Sequence, residues 1–472
     1  MDEINIQYTP VFCTITSELP IEVQEKLYNA LAFRPQGYFY SLKYQTGNWD
    51  GWNRLYYPQQ QRFRSGLLNR VINILKELGY IVNIIGLEIG KPYIQHSNTY
   101  NLRQYQLKAV NNICEKRFGI VRAPMRSGKT IIAIGVVDSE RKFPVVFFCR
   151  SLDLAYQIRD KFHTFLPDIS IGLIGDGEVD IKEVTIVTIQ SAYSAYEKKC
   201  PEKVFQKEKP IKDKFALKQL LHKAKIVFVD ECHHSRARTT KFILDKCISA
   251  NMRIGLSATP FNDVGEDLIV EEVLGPIIYD ISYSDLIKEG FLLRPTIYMY
   301  KLPPLSVDGN YQSVYKQAVI ENDFLSQLIK KIVNNLTEKN KSVVVQTEYI
   351  NHTKKLGKIL GCPTLTGNDK TEYRYDIIKK LNNKEILCVV STLFEEGLDL
   401  PSLDYVINVA GGLSSISTLQ RMRSITAIDG KNTCGIIDFY HQCKYLNKHS
   451  KKRKNLYESE SEFKLFMRDI SN

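Results

Sequence analysis

The segment APMRSGKT, Ala123 to Thr130, sets a glycine, a lysine and a hydroxyl side by side at the end of a short loop. GIVR precedes it and IIAIGVV runs on from it, which is the strand, loop and helix order that a phosphate-binding loop needs. There, the loop of Ala123, Pro124, Met125, Arg126, Ser127 and Gly128 wraps a phosphate with its backbone N–H groups, proline alone having none to give, and the positive end of the helix adds to the attraction. Lys129 neutralises the outer phosphate oxygens, and the Thr130 hydroxyl meets a divalent cation. Further on, IVFVDECHH, Ile226 to His234, is an apolar strand that carries two carboxylates out at its C-terminal end, the edge where open α/β sheets bind ligands. Asp230 is placed to hold the cation, and Glu231 to take a proton from a water attacking phosphorus in line. By itself the acidic pair could be a helix start stabilised by the helix dipole. Cys232, His233 and His234 lack a second cluster at ligand spacing, so zinc is not expected.

The elements that must position these groups are short β-branched runs alternating with helical patterns. VVFFC (Val145 to Cys149), VTIVTI (Val184 to Ile189), IVFVD (Ile226 to Asp230) and RIGLSAT (Arg253 to Thr259) read as buried strands of a parallel sheet. After the proline-containing link KLPPLSVDGN (Lys301 to Asn310) the pattern restarts with SVVVQT (Ser342 to Thr347), ILCVVST (Ile386 to Thr392), YVINVA (Tyr405 to Ala410) and CGIIDFY (Cys434 to Tyr440). The expected architecture is α/β: two tandem parallel-sheet domains, 99–300 and 301–448, behind a small α+β domain, 1–98, and ahead of a basic tail, 449–472. Lys444 to Lys454 holds six Lys or Arg and no acid, and reads as a helix or a solvated tail.

The series resembles superfamily 2 helicases. The Walker A loop, the DECH box and SAT (Ser257 to Thr259) resemble motifs I, II and III of that family. LRQYQ (Leu102 to Gln106) resembles its adenine-reading Q motif, which implies Gln106 and Arg103 at the nucleotide. CRSLDLAYQ (Cys149 to Gln157) and VTIQS (Val187 to Ser191) are similar to strand-contact motifs and imply Arg150, Gln190 and Ser191 on nucleic acid. STLFEEGLDLPSLDYVI (Ser391 to Ile407) is similar to motif V, with Gly397 and Asp399 at the matching nucleotide positions. His233, Ser257, Thr259 and Gln420 fall at coupling positions. LQRMRSIT (Leu419 to Thr426) resembles motif VI, QRxGRxxR, one residue short, so its last arginine becomes Thr426. That leaves Arg423, ahead of Arg421, as the arginine that would stabilise charge on the transferred phosphoryl group. The resemblance implies two RecA-like domains closing on ATP and Mg2+, with nucleic acid lying across both.

The first region is similar, in KYQTGNWDGWNRLYYPQQQRFRSGLLNRV (Lys43 to Val71), to the accessory domain of phage branch-migration helicases. Lys43 to Arg70 sets five basic residues against the single acid Asp50, interleaved with aromatics. Trp49, Arg54, Arg62 and Arg64 could therefore grip phosphates and stack on bases; the alternative is a small aromatic core with a basic edge. The 472 residues carry 64 Lys and Arg against 52 Asp and Glu, a net charge of +12 that favours a polyanionic partner. No apolar run is long enough to cross a membrane, and ten scattered cysteines without a CxxC pair point to a reducing, cytoplasmic compartment, the host's if the chain is phage-encoded. The expected function is an ATP-dependent DNA helicase or translocase on branched DNA, acting as a monomer. Alternatives are a double-strand translocase that does not separate strands, an RNA helicase, and a nucleotide-switched clamp.

Overall fold

The computed structural model describes residues 2–35, 37–196, 209, 211–232, 238–258, 267–393, 400, 402–411 and 434–470. The chain divides into two compact units, one of residues 1–124 and 128–281, the other of 125–127 and 282–472.

The first unit holds two of the larger sheets. Residues 1–85 form a five-stranded sheet in the order Tyr56–Tyr57, Arg62–Arg64, Phe12–Ile15, Glu3–Tyr8, Ile81–Ile85, antiparallel except for the last pair. Helices Ile21–Ala30 and Leu68–Glu77 cover it, and the Leu68–Glu77 helix buries Leu68, Val71 and Leu75 at helical spacing. This α+β layer is not a separate body. Its core is continuous with Phe118 of the following sheet and with Leu268 and Ile269 of the helix Asp267–Leu274. Gly66 fits so closely against the helix Asp267–Leu274 that an added Cβ would lie 2.0 Å from the Glu271 carbonyl oxygen.

That following sheet has eight strands among the described residues, ordered Glu178–Val179, Ile171–Gly175, Val184–Thr188, Val145–Cys149, Ile226–Asp230, Met252–Ser257, Phe118–Arg122, Ile277–Asp280. All pair in parallel except the hairpin strand Glu178–Val179. Val145–Cys149, Val184–Thr188, Met252–Ser257 and residues 226–229 are buried on both faces, as continuous apolar runs in a parallel sheet should be. The register puts Asp230 beside Leu256 and Ser257 beside Arg122, so the phosphate-binding loop and the acidic pair leave the sheet at the same edge.

The second unit is built on seven parallel strands among the described residues, ordered Thr364–Leu365, Cys388–Ser391, Val343–Gln346, Tyr405–Asn408, Gly435–Tyr440, Thr296–Lys301, Lys464–Asp469. Two sequence expectations change here. Thr296–Lys301 pairs with Gly435–Tyr440, so the second sheet begins ahead of residue 301. Residues 449–470 take the helical alternative and go beyond it, in place of a solvated tail: Leu446–Glu458 is a helix and Lys464–Asp469 is an edge strand of the sheet. The physical reason is the buried pair of Arg453 with Asp438, 2.8 Å, which converts one residue of the basic run into a core contact, with Tyr457 donating to the same carboxylate at 2.7 Å. No helix among the described residues is long and apolar enough to cross a membrane.

Candidate active site

Strand Phe118–Arg122 delivers the loop, and helix Lys129–Glu140 begins where it ends. Gly128 caps that helix at φ +79°, and an added Cβ would sit 2.4 Å from Gln106 Nε2. Only glycine meets both demands. Gln106 is itself buried, and the Arg103 N–H donates to its Oε1 at 3.0 Å, which turns its amide nitrogen toward Gly128. Gln106 therefore props the loop from behind. The neighbouring Tyr105 is buried too and presents no ring to a base. The Ala123 N–H donates to the Ser257 carbonyl at 3.0 Å, tying the root of the loop to the strand Met252–Ser257. Arg126 takes φ +64°, a left-handed conformation unusual outside glycine.

Lys129 and Thr130 are the first two residues of the helix. Lys129 Nζ lies 3.7 Å from Glu231 Oε1, and Ser257 Oγ donates to Glu231 Oε2 at 3.4 Å. The Glu231 N–H donates to Asp230 Oδ1 at 3.0 Å, and Glu231 is held at φ +47°. Burial first, and the adjacent Glu231 carboxylate second, push the Asp230 carboxyl up to about 7, while Lys129 pulls it down. Two carboxylates crowded at a buried strand end offer oxygen donors suited to a divalent cation, whose charge would relieve that crowding. Cys232 instead faces the protein interior: an added Cβ on Gly255 would come within 2.9 Å of its Sγ, and burial raises its thiol well above the usual range.

The nucleic-acid candidates part company. Ser191 is buried, its N–H donating to Thr188 Oγ1 at 3.2 Å in a helix cap, and it offers no surface; Gln190 and Arg150 are half-buried. Arg64 is also turned inward. It pairs with Asp245 and lies 3.3 Å from Glu272, while Arg70 bonds both oxygens of Glu271 at 2.6 and 2.7 Å. These arginines join the α+β layer to the eight-stranded sheet rather than grip phosphate. Arg54 pairs with Asp50 at 2.6 Å and Arg62 covers the Phe12 ring at 3.6 Å. Trp49 is half-buried, its Nε1 donating to the Trp52 carbonyl at 2.8 Å. The exposed aromatic surface consists instead of Phe39, Tyr40, Tyr44, Trp52 and Tyr57, with Arg34 over the Trp52 ring at 4.7 Å. Sequence reasoning passed over Phe39, Tyr40 and Arg34; the run GYFY just before a short helix was their only signal. His233, Thr259, Gly397, Asp399, Gln420, Arg421 and Arg423 lie outside the described residues.

Residues 99–262 match the family described as type III restriction enzyme, res subunit, and residues 323–423 match the helicase conserved C-terminal domain. Among named proteins, the chain is 27% identical over 399 residues to "Putative helicase 22" of Sulfolobus islandicus filamentous virus, covering 76% of this chain and 68% of that one. It is 25% identical over 398 residues to the DNA 3'-5' translocase XPB2 of Sulfurisphaera tokodaii, covering 74% and 83%. The crystal structure of T4 UvsW aligns with 100% of this chain and 99% of its own at 18% identity and a TM-score of 0.48, a level that bears on no question of substrate.

Proposed function

The chain belongs to the superfamily 2 helicases, enzymes that hydrolyse ATP to act on nucleic acid, and on that premise we propose that it unwinds and remodels branched DNA, forks and four-way junctions, with Mg2+ as its cation. One observation carries the proposal: the α+β layer is fused to the ATP-binding sheet through a shared core and the Arg64 and Arg70 ion pairs, and it exposes an aromatic surface. A tethered accessory domain adds only affinity. A fused one keeps its stacking surface at a fixed distance from the nucleotide loop, so that bases freed at a branch are held where each turnover can act on them.

In this reading the loop N–H groups and Lys129 hold the ATP phosphates, while Thr130 and Asp230 hold the cation, which when bound neutralises charge on the phosphoryl oxygens. Glu231, steadied by Ser257, takes the proton of the attacking water. Arg423, ahead of Arg421, supplies the arginine that stabilises the transferring group.

A second reading follows from the relative named a DNA 3'-5' translocase: movement along duplex without strand separation. The test is DNA-stimulated ATPase and strand separation on forks, four-way junctions, linear duplex, single strands and RNA, with displacement of a third strand from a triplex alongside. The expected outcome is a preference of about tenfold or more for forks and junctions, lost in Tyr40→Ala/Trp52→Ala while DNA-free turnover is kept, because stacking contributes about 1–3 kcal/mol per base. Triplex displacement without unwinding would establish the translocase reading, and equal stimulation by RNA would overturn the choice of DNA.

A further inference from the structure

From His441 to Tyr457 the second unit carries no acidic residue and six Lys or Arg. Folding sorts these by face. Leu446, Ser450, Arg453 and Tyr457 turn inward at helical spacing, the Ser450 hydroxyl accepting from the His441 N–H at 3.0 Å and Arg453 held by Asp438. Lys448 and Lys451 turn outward one helical turn apart, and Lys444 lies just ahead of the helix; all three are exposed and without an ion pair among the described residues. Tyr445 joins them with its ring exposed and Lys444 Nζ 5.4 Å from its centre.

Tyr445 is held there at a cost. Its φ of +61° and ψ of −51°, with the Leu446 N–H donating to the Lys444 carbonyl at 2.7 Å, make a γ-turn of the rare positive-φ kind. Behind it Tyr311 packs on Tyr445 at 6.2 Å and on His449 at 5.4 Å, and the Gly411 backbone hydrogen-bonds His449. Gly411 follows strand Tyr405–Asn408, and the helix follows strand Gly435–Tyr440, so this face rises at the C-terminal edge of a parallel sheet, the edge where ligands bind.

We propose that Lys444, Lys448, Lys451 and Tyr445 form a nucleic-acid track, the lysines spaced along the phosphates of a DNA strand and the tyrosine stacking on a base. The charge is single-signed, and the aromatic ring, backed edge-on by Tyr311, keeps an exposed side, which together fit a polyanion with planar bases. The proposal rests on the helicase reading above and adds a contact surface to it. The experiment is salt-dependent DNA binding by full-length wild type, Lys444→Ala/Lys448→Ala/Lys451→Ala, Tyr445→Gly, and Lys331→Ala/Lys339→Ala, which removes charge from a different helix. The triple variant is expected to lose affinity on the order of 10²-fold at 0.1 M salt and to flatten the log-affinity against log-salt slope by about 2–3 units, with DNA-free ATPase unchanged. Tyr445→Gly relaxes the turn, so its thermal midpoint should hold or rise while affinity for single-stranded DNA falls about tenfold. The Lys331→Ala/Lys339→Ala control should keep the wild-type slope. Wild-type affinity and slope in the triple variant would overturn the track while leaving the helicase reading standing; an equal loss in the control would reduce it to net charge; and absence of DNA binding by the wild type would overturn both.

Discussion

At the nucleotide, Lys129 and Glu231 face each other across 3.7 Å, yet their removal should have different consequences. Lys129→Ala takes away the cation that offsets both carboxylates as well as the one meant for phosphate, so nucleotide binding and turnover should both collapse. Glu231→Gln keeps the shape and the hydrogen bond from Ser257, so ATP binding should stay within about threefold while turnover falls by about 10³-fold or more. Steady-state phosphate release with a parallel nucleotide titration separates the two. Near wild-type release by Glu231→Gln would remove it from the base position. Both residues were legible in the sequence because their chemistry is fixed by order along the chain. Gln106 was legible only as an adenine contact, and its place against Gly128 required the fold.

Between elements, the arginines of the α+β layer illustrate how composition misleads. Arg64 and Arg70 look equally available for phosphate in a run of five basic residues, but their carboxylate partners Asp245, Glu271 and Glu272 lie about 180 to 200 positions downstream. The two pairs should also differ from each other. Arg64 is buried between Asp245 and Glu272, so Arg64→Ala leaves the buried Glu272 to Lys241 alone and the half-buried Asp245 without its partner, and should cost about 3–5 kcal/mol. The Arg70 side chain is 49% exposed, so water screens the pair, but its partner Glu271 is buried, and Arg70→Ala should cost less, about 1–3 kcal/mol. Denaturant unfolding of the full chain reads both; equal, small effects would mean that the layer is held by its apolar core alone. The strands of the two parallel sheets were largely visible as β-branched runs, whereas the short or amphipathic ones, Ile277–Asp280 and Lys464–Asp469, gain their identity from their neighbours.

Across the whole molecule, groups of opposite sign meet on mild acidification: Asp230, raised by burial, binds its proton first in the folded chain and gains stability as pH falls, whereas two histidines of the second unit lose it. His352 and His441 are fully or almost fully buried, and burial holds them down, to about 4 and about 3. Above about pH 6.5 both are neutral whether the chain is folded or not. As the pH drops below that value the unfolded chain takes up protons that the folded chain refuses, so each histidine removes up to about 1.4 kcal/mol per pH unit until its folded value is reached. Thermal midpoints measured between pH 7.5 and 4.5 should show wild type losing stability relative to His352→Leu as the pH falls; parallel profiles for the two would show that His352 gains a partner in solution. Asp438, whose carboxyl Arg453 holds below its usual range against burial, adds a loss in the same direction at still lower pH.

The sequence by itself determined the reaction chemistry and the fold class, because a phosphate loop, a strand-borne acidic pair and alternating apolar runs are local patterns, readable within a dozen residues. Tertiary structure decided which charges remain available. A basic side chain reads alike in sequence whether it pairs in the interior, as Arg64 and Arg453 do, or faces water, as Lys448 and Lys451 do. Desolvation and the carboxylate met on folding make that difference, and both depend on residues far away along the chain.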